Sequence, residues 1–140
     1  MKMEEIKNNN APAAEIKLPE NASPREIAEF MVKVLDAKKA KDIKLLHVEE
    51  QTILADYFVI ATGNSTTQVS SLSEEVEFRL SQNGIAPRAT EGSRGDSWIL
   101  SDYSCVILHV FNQDAREFYK LEKLYNEGSE VSIADILTED

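Results

Sequence analysis

The sequence predicts an α/β domain: a mixed sheet of about five strands flanked by helices. Three observations carry this. Residues 56–62, DYFVIAT, hold an unbroken apolar run from Tyr57 to Ala61, in the way a strand buried on both faces must. Two segments, beginning at Ser23 and Ser65, start with helix-capping signals and continue with apolar residues at helical spacing. Residues 97–111 alternate and then run apolar around a polar break at Asp102-Tyr103-Ser104, as a hairpin would. The order helix, strand, strand, helix, strand, hairpin, helix follows.

Residues 1–22 hold three consecutive asparagines and two prolines without a period, and read as a flexible N-terminal tail that gains order near Ile16 and Leu18. In Ser23-Pro24-Arg25-Glu26 the serine caps, the proline takes the first helical position, and Glu26 closes a capping box. Ile27, Met31, Val34 and Leu35 then mark one face as far as Lys38, and Lys38, Lys39 and Lys41 suit a helix C-terminus. IKLLHV, residues 43–48, is a strand, and residues 52–55 turn the chain into the next one. Gly63-Asn64 ends that strand. Ser65 and Gln68 make a second capping box, Val69, Leu72, Ser73, Val76 and Leu80 draw a stripe, and Gly84 stops the helix.

Residues 86–90 read as a short strand. From Ser97 to Ser101, Trp98 and Leu100 share one face and Ile99 takes the other. Cys105 to Phe111 return as a buried strand. A helix starts at Asn112 or Asp114, turns Phe118, Leu121, Leu124 and Tyr125 inward, and ends at Gly128. The domain is therefore placed at 23–128. Residues 129–140 are a C-terminal tail in which Ile133, Ile136 and Leu137 can form an amphipathic turn.

Composition narrows the function. A chain of 140 residues supports one core. Twenty-five acids against fifteen bases leave a net charge of −10, which opposes binding to bare nucleic acid and favours a basic protein surface. No apolar run reaches the roughly 18 residues a membrane span needs. The N-terminus lacks the apolar core of a secretory signal, and a single cysteine, Cys105, suits a reducing cytoplasm.

Chemical sites are sparse. EGSRGDS, residues 91–97, has two glycines but leads into a strand, whereas a dinucleotide loop leads into a helix N-terminus. Thr62-Gly63-Asn64-Ser65 does join a strand to a helix, as in nucleotidyltransferase domains, but lacks a P-loop lysine. Asp96 and Asp102, the next acids, are six residues apart along an extended chain, or roughly 20 Å, too far to share a magnesium ion. His47 and His109 are isolated within strands, and no spacing of histidines and cysteines suits a metal. Cys105 sits in an apolar run with no base nearby and reads as an inert thiol. No catalytic residue, metal or cofactor is expected. The lone tryptophan, Trp98, is either core or an outward anchor. In the outward arrangement Leu100 and Tyr103 flank it and Asp96 and Asp102 rim it, the make-up of a protein-binding hot spot.

The run ADYFVIATGNS at 55–65 is followed by Gln68-Val69, Glu91-Gly92, Trp98, Asp102-Tyr103, 106–111, Arg116 and YKLEKLY at 119–125. Together these resemble the ribosomal silencing factor family, RsfS, also called Iojap, from about residue 24 to about 127. Tyr125 stands where that family usually has tryptophan. The resemblance implies a fold similar to nucleotidyltransferases without their catalytic acids. It implies a cytoplasmic repressor of translation that binds the large ribosomal subunit through its protein L-fourteen and blocks joining of the small subunit when nutrients are scarce. It also implies a contact surface at Glu91, Asp96, Trp98, Leu100, Asp102 and Tyr103, an outward Trp98, and a capacity for homodimers.

Overall fold

A computed structural model describes residues 16–125 and 129–137. Its elements are α1 (Pro24–Ala37), β1 (Lys41–His47), β2 (Tyr57–Gly63), α2 (Thr66–Ser81), β3 (Ala89–Glu91), β4 (Trp98–Asp102), β5 (Val106–Asn112), α3 (Gln113–Tyr119), a 3-10 turn (Leu121–Leu124) and β6 (Glu130–Val131). The strands form one sheet in the order β3-β4-β5-β2-β1-β6. Only β2 and β5 run parallel; every other neighbouring pair is antiparallel. The α/β mixed sheet is as expected, with six strands rather than five.

The helices begin where their side chains dictate. Ser23 Oγ accepts from the Glu26 amide at 3.1 Å, and Glu26 Oε1 accepts from the Ser23 amide at 2.8 Å. Both halves of that capping box are formed. At α2 the box is displaced by one residue: Ser65 Oγ caps the Gln68 amide, but Gln68 Oε1 reaches back to Asn64 rather than to Ser65.

The sheet's period of two divides the core. Val59, Leu108, Val110 and Ile99 point to one face, where α1 and α2 lie over them with Met31, Leu35, Leu72 and Val76. Phe58, Ile60, Ile107 and Phe111 point to the other, where among the described residues the short α3, the 3-10 turn and Tyr125 lie over them. The second layer is the thinner one, and Trp98 and Leu100 lie half-buried at its edge.

The structure departs from two expectations. The last helix does not continue to residue 125. It stops at Tyr119 because Lys120 adopts a left-handed conformation with φ 46°, and Phe118 and Leu124 are left 78% and 72% exposed instead of turned inward. The expected stop at Gly128 lies outside the described residues. Residues 129–137 do not hang free either. Glu130 and Val131 pair with Leu46 and Leu45, the Gln51 amide nitrogen donates to the Ser129 hydroxyl, and Ile133 enters the larger core. Of the expected N-terminal tail, residues 1–15 lie outside the described residues, and Ile16, Leu18 and Ala22 pack against that core, at the place where the tail was expected to gain order.

If the C-terminal segment is structural, Ile133→Ala should lower the unfolding free energy by about 2–5 kcal/mol, the usual loss for a buried isoleucine. Urea denaturation checks this; a free tail would show no change.

Candidate functional site

Trp98 occupies the first position of β4, opposite Phe111 on β5. That cross-strand pairing stacks the two rings with centroids 4.8 Å apart. Tyr119, at the end of α3, closes against the indole at 4.7 Å, and Phe118 meets Tyr119 edge-on at 4.9 Å. The indole Nε1–H donates to His109 Nδ1 at 3.3 Å. Trp98 is thus neither sunk between the helices and the sheet nor projecting freely. It lies along the thin side of the sheet, supported from below and open at one side.

On that open side Glu91, Gly92, Trp98 and Leu100 line a shallow cavity of about 260 Å³. Glu91 pairs across the hairpin with Leu100, and its carboxylate is exposed. The position of Gly92 requires glycine: its φ is 99°, and a Cβ there would come within 2.7 Å of the Trp98 carbonyl oxygen. The chain approaches its own neighbouring strand so closely that no side chain fits between them.

The structure brings Glu91, Trp98 and Leu100 together, and sets the other expected contact residues apart from them in different degrees. Asp96 is exposed but turned onto its own loop, where Oδ2 accepts from the Ser93 amide at 2.9 Å. Asp102 shares the face of Trp98 but is nearly buried. Its carboxylate takes the Arg88 guanidinium at 2.5 Å and the Ser104 amide at 2.8 Å. Tyr103 is on the opposite side. One residue beyond Asp102 the alternation carries its ring into the larger core, where it is 6% exposed. Burial raises the Tyr103 hydroxyl's pKa far above its ordinary value, and the hydroxyl has no hydrogen-bond partner among the described residues. Phe118 and Tyr119 were not expected at this surface. They reach it because α3 ends early.

Arg88 and Arg94 do not form a basic patch: the first is held by Asp102 and the second by Glu74 at 3.1 Å. At the Thr62–Ser65 turn, Thr62 Oγ1 is bonded to the buried Arg116 guanidinium at 2.7 Å, and Arg116 is paired with Glu122 at 3.2 Å. The Asn64 and Gln68 amides are already satisfied by Gln68 and Ser65 side chains. These groups of the turn are thus engaged within the fold. His47 stacks on Tyr57 and pairs with Glu49 at 3.1 Å. Cys105 is half-buried, and burial raises the pKa of its thiol, which disfavours the nucleophilic thiolate. Among the described residues, no three His, Cys, Asp or Glu side chains gather as metal ligands, and no helix is long and apolar enough to cross a membrane.

Residues 21–140 match the family model described as "Ribosomal silencing factor during starvation", RsfS. The chain is 37% identical to ribosomal silencing factor RsfS of Bacillus subtilis, over 74% of this chain and 88% of that one. It is 32% identical to the Halalkalibacterium halodurans protein of the same name, over 83% and 99% of the two chains. A mouse protein named for mitochondrial assembly of the ribosomal large subunit is 28% identical over 69% of this chain, which spans 44% of that longer relative. Among solved structures, a Chromobacterium violaceum protein superposes with a TM-score of 0.72 at 30% identity, covering 79% of this chain and 90% of that one.

Burial lowers the pKa of His109 from the ordinary 6.5 to about 4, because the charged imidazolium would lie in an apolar layer. Between these values the unfolded chain takes up a proton that the folded chain refuses, so stability falls as pH drops from about 6.5 to 4, by up to about 3 kcal/mol. Urea titrations at pH 7 and pH 4 should show this part of the pH dependence disappear in His109→Leu.

Proposed function

The chain belongs to the ribosomal silencing factor family, RsfS, and from that premise we propose that it represses translation by occupying the large ribosomal subunit. The contact is with the large-subunit protein L-fourteen, and the consequence is steric: the small subunit cannot dock where this chain sits. No bond is made or broken. The chain works in the cytoplasm, and its potency follows its affinity and concentration. The name of the mouse relative, which refers to assembly of the ribosomal large subunit, supports the same large-subunit partner.

The observation that carries the reading is the half-open aromatic surface on the thin side of the sheet. Trp98 and Leu100 offer apolar area, Tyr119 and Phe118 extend it, and the exposed carboxylate of Glu91 stands at the rim of the cavity. A supported aromatic anchor with an acidic edge is suited to a basic protein partner. The net charge of −10 would speed the encounter. A specific contact of ordinary size buries about 800 Å² on each partner, so the surface must reach well beyond the cavity. The proposed contact set is Glu91, Trp98 and Leu100, with Asp96 at the edge. Asp102 supports the set through Arg88, and Tyr103 contributes only by anchoring the hairpin in the core. A homodimer built on this same surface would compete with the ribosome.

Subunit association followed by light scattering tests the proposal. The parent chain should hold purified B. subtilis large and small subunits apart, and saturating protein that leaves association unchanged would refute it. Trp98→Ala, if it keeps the parent circular dichroism, should lose roughly 2–4 kcal/mol of binding to large subunits in a sedimentation assay. Glu91→Lys should weaken binding more at 50 mM salt than at 300 mM, since the lost attraction is screened. Sedimentation equilibrium of the parent alone measures the competing dimer.

A further inference from the structure

His109 has no place in the contact set, and its presence in β5 needs a physical reason. The strand is otherwise apolar from Val106 to Phe111, and His109 is buried at 4% exposure. Its ring meets Phe58 edge-on at 4.8 Å. Its Nε2 finds no hydrogen-bond partner among the described residues. A leucine would fill the same space without leaving a polar atom unmatched.

What the histidine offers in return is Nδ1. The Trp98 indole nitrogen can only donate, so the Nδ1 it meets at 3.3 Å must carry a lone pair, and the ring proton is on Nε2. The same burial that keeps the imidazole neutral keeps that acceptor available at physiological pH. Stacking on Phe111 sets the plane of the indole, but stacking alone does not choose which edge faces the sheet. The hydrogen bond chooses it. The nitrogen edge turns inward and the opposite edge is left at the surface.

We infer that His109 is a positioning residue for the docking surface: its Nδ1 holds the Trp98 indole in one orientation before the ribosomal partner arrives. An anchor already held in its bound rotamer spares the complex the entropy of ordering it. The inference rests on the reading of Trp98 as a docking anchor.

A double-mutant cycle tests it, with binding to purified B. subtilis large subunits as the readout. His109→Leu should weaken binding about five- to tenfold in the parent background, the scale of one net hydrogen bond, and no more than about twofold in Trp98→Phe, which has no indole N–H to hold. His109→Asn, which keeps an acceptor near the position of Nδ1, should recover most of the loss. Because Trp98 is the only tryptophan, time-resolved fluorescence anisotropy of the free chain reports on it alone. The nanosecond component should grow in His109→Leu. If the His109 variants do not fold, the single indole resonance of the parent decides: its N–H should exchange with solvent far more slowly than a free indole and show a trans-hydrogen-bond nitrogen–nitrogen coupling. Equal losses in both backgrounds, or an indole N–H exchanging at the free rate, would overturn the inference. If instead Trp98→Ala itself binds as the parent does, it is the docking reading that fails.

Discussion

The parallel pairing of β2 with β5 is the constraint on which the rest of the fold depends. Seven residues of each strand run side by side, from Tyr57 against Val106 to Gly63 against Asn112. A parallel pair cannot be closed by a tight turn, so the chain must leave the sheet and return. Here it leaves through α2, crosses the β3–β4 hairpin and re-enters beside its starting point. The excursion places β4 next to β5, and their register sets Trp98 opposite Phe111 and Leu100 opposite His109. The aromatic cluster at the thin side of the sheet is therefore a product of strand order. Its members come from β4, β5 and α3, three elements that follow one another along the chain and meet on one face of the sheet.

Much of the fold was legible in the residues because local chemistry decides it. Ser23 and Glu26 cap α1 as their spacing requires, and the apolar run from Tyr57 to Ala61 reads as a strand covered on both sides. The opposition of Trp98 and Ile99 followed from strand alternation. What was not legible depends on contacts far away in the chain. No local signal marks Lys120 as left-handed, so the last helix looked longer than it is. The pairing of Glu130–Val131 with β1 rests on a two-residue match that no pattern over so short a window can reveal.

The candidate surface shows the same division. Glu91, Trp98 and Leu100 could be grouped from sequence because a hairpin fixes their neighbours. Asp102 and Tyr103 were grouped with them for the same reason, but adjacency along the chain misled there. Asp102 is drawn to Arg88, fourteen residues earlier, and Tyr103 obeys the alternation that sends it through the sheet. Phe118 and Tyr119 were missed because helical periodicity assigned one of them to the interior.

Both margins of the sheet are brief. β3 has three residues and β6 has two, and Lys44 and Glu130 form an ion pair beside the latter at 3.0 Å. Long exposed margins invite further strands from other chains, and short charged ones discourage them. A protein built this way can be abundant in a crowded cell without growing into fibrils through its backbone.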